Sequence, residues 1–242
     1  MTDEWIIKPK ESWREETKIY HSRFEEISTI STDAAEAIKS NFPGKYWGMS
    51  DKNEKASVVS RIVIYAVNGF SYSLGLRPII EQQFKQGQFM IVPLSTRFFF
   101  EMCGSINYAK SLISKISNKE SVESELNKVN KLLTGAKSEV MLPWGELATE
   151  SSINVMDFVR SLENEHSGAV ESYGFLCEAS HPNFVQNSYF QMAGPPVSNW
   201  DNKEFKKHGH ILLNKTVSIY EQAVHNSEND ILSIFKMSNE LV

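Results

Sequence analysis

The sequence predicts an all-α protein, a single-domain bundle of about eight helices spanning residues 1–242, and three observations carry that expectation. Apolar residues recur at spacings of three and four along most of the chain, as in Trp13, Thr17, Tyr20, Phe24 and Ile27. The one β-branched run, around Val58 to Val67, is long and flanked by charge, which favours a helix over a buried strand. The composition is 41% hydrophobic and 23% charged with only 12 Gly and 8 Pro, enough apolar surface for one core and too much for a disordered chain. At 242 residues, one domain is the expected count.

The elements follow in order. A helix from about residue 10 carries the Trp13 to Ile27 stripe, with Arg14, Glu15, Lys18, Glu25 and Glu26 opposite. A short helix over 33–40 is ended by Asn41-Phe-Pro-Gly44. From 53 to about 74 the run around Val58, Ile62, Val63, Val67 and Phe70 is long and flanked by charge, which favours a central helix over a buried strand. Pro78 is expected to start a separate helix through Lys85. Residues 93–116, with Phe99, Met102, Ile106, Ala109 and Ile113 on a helical repeat, predict the most buried helix. Val122, Leu126, Val129 and Leu133 mark the next, closed by Gly135. A helix from about Glu150 is broken at Ser167-Gly168, and another follows to Ser180. Residues 182–203, with Pro195-Pro196, read as a long loop suited to a lid or a partner surface. Two C-terminal helices, over 203–225 and 228–241, complete the expectation.

Cys103 and Cys177 stand alone in helical patterns, so neither a disulfide framework nor a zinc ribbon is expected, and a reducing cytoplasm fits. The N-terminus lacks the basic and apolar regions of a signal peptide, and no apolar run reaches the length of a membrane span. Net charge is −5 with scattered basic residues, so any contact with RNA has to be local. No Gly-rich phosphate loop, nucleophile elbow or Cys-x-x-Cys pair is present, and His208-Gly-His210 points its imidazoles apart on a helix. Neither a metal nor a cofactor is expected.

The candidate site is built from two segments. Arg97 and Glu101 stand four apart in Arg-Phe-Phe-Phe-Glu, an ion pair whose intervening aromatics imply burial and further partners. Tyr173-Gly-Phe-Leu-Cys-Glu-Ala-Ser-His-Pro-Asn183 places Glu178 and His181 on one helix face, a carboxylate beside an imidazole, the smallest arrangement for proton transfer. The expectation is that these four side chains converge, His181 as acid or base, Glu178 orienting it, Arg97 holding phosphate and Glu101 holding Arg97. The bland reading is an intrahelical pair together with a His-capped helix end.

A second candidate pair is Arg160 and His166, in Arg160-Ser-Leu-Glu-Asn-Glu-His166. This resembles the Arg-x(4 to 6)-His signature of the HEPN ribonucleases, all-α proteins in which a dimer brings two such motifs onto the scissile phosphate. Six residues are 240° of ideal helix, so convergence requires the helix to unwind near His166. The usual Asn after the Arg is Ser161 here. The Arg97/Glu101 and Tyr173–Asn183 motifs are also similar to those of a bacterial all-α, HEPN-like family of unknown function, associated with defence or toxin modules. That resemblance implies an all-α fold and a metal-independent ribonuclease or RNA-binding protein, with a homodimer and a protein partner at the 182–203 loop as further expectations. The competing expectation is a non-catalytic scaffold whose polar cluster is structural.

Overall fold

The computed structural model describes residues 18, 22–23, 32–41, 54–86, 88, 91–118, 122–138, 141–142, 145–147, 151–181 and 203–241. The stripe through Trp13 and Phe24 and the loop over 182–203 lie outside the described residues. Seven helices are described: α1 Thr32–Asn41, α2 Glu54–Lys85, α3 Ile91–Ser117, α4 Glu123–Thr134, α5 Val155–Glu163, α6 Ala169–Ser180 and α7 Lys203–Asn239. No strand occurs among the described residues; two isolated bridges, Ala136 with Ser151 and Met141 with Leu147, are the extended pairings. The protein is all-α, as its periodicity requires.

Three boundaries differ from the sequence expectation: the helix expected from about Glu150 begins at Val155, after Ser151 has paired with Ala136 and Asn154 has supplied the cap, and the other two involve Pro78 and the C-terminal helix. Pro78 lies inside α2 instead of starting a new helix. Ser73, Arg77, Ile80 and Phe84 are all buried at spacings of four, three and four, so one continuous buried stripe runs past the proline. That packing outweighs the single backbone hydrogen bond Pro78 forgoes. At the C-terminus the expected break at Asn226-Ser227, between helices over 203–225 and 228–241, is absent, and α7 continues through it. The residues there are buried: Ser227, Glu228 and Asp230 all lie in the interior, and the Asp230 carboxylate finds a tertiary partner instead of capping a helix end.

The described chain falls into two compact units. The first comprises Met1–Ile30, Ser73–Phe100 and Val170–His225; the second comprises Ser31–Tyr72, Glu101–Ala169 and Asn226–Val242. In the first unit, Phe99 and Tyr220 pack with ring centroids 5.2 Å apart. Arg23 there reaches three residues of α7 at helical spacing: its Nε donates to Glu221 at 2.7 Å, and its two other nitrogens to Asn214 at 2.8 Å and Ser218 at 3.1 Å. In the second unit, α3 approaches α5 at Gly104, where an added Cβ would stand 3.1 Å from the Phe158 backbone oxygen. A Cβ there would be tighter than ordinary van der Waals contact, so glycine lets the two helices approach this closely without displacing Phe158. Tyr108, one turn on, meets the Phe158 ring edge-on at 5.6 Å.

Local chemistry accounts for the ends of α4 to α6. Gly135 closes α4, its N–H donating to the Lys131 carbonyl, and it lies so close to Ser151 and Ser152 that a Cβ would be 2.8 Å from each backbone. Asn154 caps α5 by accepting the Met156 N–H at 2.9 Å. Gly168, at φ 93°, makes the left-handed turn into α6, and the Glu163 carboxylate accepts its N–H. No helix among the described residues is long and apolar enough to cross a membrane.

Candidate functional site

Arg97, Glu178 and His181 fall in the first unit, and Glu101 in the second. Arg97 does reach the Tyr173 motif, through its first residue. A guanidinium nitrogen donates to the Tyr173 hydroxyl at 3.2 Å, and the guanidinium carbon stands 5.4 Å from the Tyr173 ring centre. Phe100 stacks on the same ring, which is buried. At the other end of the motif, Glu178 and His181 are exposed. The His181 N–H donates to the carbonyls of Cys177 and Glu178, closing α6 as a helix terminus does.

The Arg160 to His166 segment lies wholly in the second unit, and the unwinding its spacing requires is present. α5 ends at Glu163, and a non-helical turn over 164–168 follows before α6 begins at Ala169. The chain thereby carries the two side chains to different surroundings. Arg160, on the last turn of α5, lines a cleft of about 620 Å³, whereas His166 stands beside Glu165 and Asp230.

Three helices and a connecting strip build the cleft. α3 supplies Tyr108, Ser111 and Lys115; α4 supplies Asn127, Lys128 and Lys131; Ser152 to Asn154 and the α5 residues Asp157, Arg160 and Ser161 complete the wall, with Asn164. Four cations face one carboxylate in a chain whose net charge is −5. Arg160 pairs with Asp157 at 3.3 Å, but both are well exposed, and such a pair holds its arginine only weakly. Lys128 pairs at 3.0 Å with Glu125, a buried carboxylate. Burial, then the Asp157 and Glu125 charges, raise the Tyr108 hydroxyl above its ordinary range, so it stays a neutral donor. A cleft of this size, with excess positive charge, several amide and hydroxyl groups and one aromatic ring, is chemically matched to a phosphorylated ligand.

Behind the cleft runs a buried polar line. The Ser161 hydroxyl, on the wall, donates to Asn107 Oδ1 at 2.7 Å; Asn107 Nδ2 donates to Asp230 Oδ2 at 2.9 Å; and Lys110 Nζ donates to Asp230 Oδ1 at 2.5 Å and to Glu165. His166 joins here, its ring nitrogen and the Glu165 and Asp230 oxygens lying within 4.8 Å of one another. Burial would push the Lys110 ammonium down, but the hydrogen bonds and charges of Asp230 and Glu165 outweigh it and hold Lys110 above its ordinary value. Burial raises the Asp230 carboxyl, and Lys110 and Asn107 draw it only part of the way back.

Sequence reasoning singled out Arg160 and His166 but missed Asn107, Lys110 and Asp230. A signal was present: Asn107 and Lys110 stand three apart on the helix expected to be the most buried, and polar side chains in such a place need partners. That the partner is 123 residues away is a fact of the tertiary fold alone. Comparison of the chain with family models, curated proteins and solved structures returns no match.

Proposed function

We propose that this protein binds RNA through the basic cleft of its second unit and, as its resemblance to HEPN-like defence and toxin proteins implies, cleaves it in the cytoplasm. The observation that carries this reading is the convergence of Arg160 with Lys115, Lys128 and Lys131 on one polar cleft in an otherwise acidic chain. Cations spaced around a groove attract a phosphate backbone by releasing its counterions, and Tyr108 offers a ring for a base. In the cleaving reading Arg160 stabilises charge on the phosphate and His166 moves the proton of the ribose 2′-hydroxyl. Because the two side chains occupy different surroundings within one copy, this reading draws on a second copy, as in the family it resembles. The test is degradation of single-stranded RNA by the purified protein and by Arg160→Ala, His166→Ala and His181→Ala variants. Loss of cleavage in the first two with retention in the third supports this site. Loss confined to His181→Ala moves the chemistry to the Tyr173 motif, and the absence of cleavage by the unaltered protein leaves binding as its function.

A scaffold function is the second reading, favoured by an exposed apolar stripe. Ile91, Leu94 and Phe98 share one face of α3 at spacings of three and four and are 41%, 53% and 42% exposed. The Arg97–Tyr173 tie beside them is structural in form. Leu94→Glu with Phe98→Glu abolishes association with a partner or a second copy in this reading, and leaves RNA binding unchanged.

A further inference from the structure

The geometry points to a divalent-cation site formed by Glu165, His166 and Asp230 in the second unit, occupied by the Lys110 ammonium when no metal is bound. The site shares His166 with the cleaving reading, in which that imidazole acts free of metal; it does not depend on RNA binding at the cleft and is tested without RNA. Each of the three residues offers one ligand atom, and these atoms lie within 4.8 Å of one another. A tetrahedral ion with bonds of about 2.1 Å needs its ligands about 3.4 Å apart, so a contraction on the order of 1 Å closes the set. Glu165 and His166 belong to the turn between α5 and α6 rather than to a helix, which leaves the contraction to the more compliant partners.

Two features distinguish this group from a surface cluster of acids. The Lys110 nitrogen already stands at 2.5 Å from Asp230 Oδ1 while bonded to Glu165, the place a metal ion would take between the two carboxylates. Asp230 is 2% exposed, and its second oxygen is fixed by Asn107, itself held by Ser161. A ligating carboxylate oriented by an outer amide is the arrangement metal sites employ.

The charges favour exchange. Two carboxylates against one ammonium leave a single negative charge beside an imidazole; a divalent ion with Lys110 swung outward neutralises both. Glu165 is 40% exposed and gives the ion its way in, and the flexible Lys110 stem gives the ammonium its way out. One nitrogen and two carboxylate oxygens suit zinc or manganese, whereas calcium and magnesium favour oxygen alone.

The experiment is titration of the full-length protein with Co²⁺, whose visible absorption reports coordination, and with Zn²⁺ by calorimetry. The folded state of each variant is checked by circular dichroism. The unaltered chain is expected to bind one equivalent that His166→Ala and Glu165→Gln lose. Asn107→Ala should weaken that equivalent by roughly ten-fold, and Lys110→Met should tighten it by a similar factor, because no ammonium has to leave. Ions held by other histidines persist in His166→Ala and are subtracted. Absence of a His166-dependent equivalent in the unaltered protein overturns the inference, as does a folded Lys110→Met chain that binds no more tightly. Should Lys110→Met not fold, the His166→Ala and Asn107→Ala comparisons decide alone.

Discussion

Lys110 Nζ stands 2.5 Å from Asp230 Oδ1, tying the middle of α3 to α7 inside the second unit across a sequence separation of 120. Asp230 is 2% and the Lys110 side chain 14% exposed, so the pair is withdrawn from water and each charge depends on the other. Lys110→Met leaves Asp230 with Asn107 as its remaining neutral donor. The loss of stability expected is about 3 kcal/mol, at the lower end for a broken buried pair because Glu165 is part-exposed. Urea denaturation of the two proteins in a chelating buffer measures it.

The same pair sets a pH dependence. Lys110 titrates above its ordinary value of 10.5 in the folded protein, so its charged form contributes stability that is complete below 10.5 and is lost as the pH rises through the higher folded value. Asp230 works in the other sense. Its folded value lies above 3.8, so ionisation costs the native state stability above that folded value, and the cost is relieved as the pH falls. The stability advantage over Lys110→Met should therefore persist to about pH 10 and shrink beyond it, as followed by denaturation at a series of alkaline pH values.

Arg97 is tied to Tyr173 by both its hydroxyl and its ring. Tyr173→Phe removes the hydrogen bond and keeps the ring, and should cost about 1 kcal/mol. Arg97→Ala removes both contacts and should cost more. A melting temperature unchanged in Arg97→Ala would instead favour a functional role for this arginine.

Gly104 marks where α3 and α5 touch, a Cβ there meeting Phe158 at 3.1 Å. Gly104→Val should destabilise by about 2 to 3 kcal/mol through overpacking. Gly174, with open space around its Cβ position, is the control: Gly174→Ala should be neutral or stabilising by up to about 1 kcal/mol, since alanine favours the helix.

Much of the fold could be read from periodicity because each helix buries one face, and α3, with Phe99, Cys103, Ile106, Ala109, Leu112 and Ile113 all buried, is the plainest case. Two of the misread boundaries share a cause. At Pro78 and at Asn226-Ser227, local signals for a break are overridden by buried stripes whose partners are remote in sequence. The cleft was hidden for a related reason. Lys115, Lys128 and Lys131 belong to the scattered basic residues of the sequence, and only the packing of α3, α4 and α5 gathers them around Arg160. The Arg160 to His166 spacing was visible, and so was its need for an unwound turn; that the turn directs His166 toward Asp230 depends on tertiary packing.

RNA binding at the cleft is most directly tested by fluorescence anisotropy of a labelled single-stranded RNA, titrated at several salt concentrations. The comparison is between the unaltered protein and a Lys115→Ala, Lys131→Ala, Arg160→Ala triple variant. Lys128 is left in place because it pairs with the buried Glu125 carboxylate, so that its removal bears on folding as well as on RNA binding. The unaltered chain should bind, with affinity falling as salt rises. The triple variant should bind at least ten-fold more weakly, with a slope of log affinity against log salt shallower by about 2, roughly 0.7 for each lost phosphate contact. Equal affinity and equal slope in the two folded proteins, or no binding by the unaltered one, would contradict the assignment of the cleft to RNA.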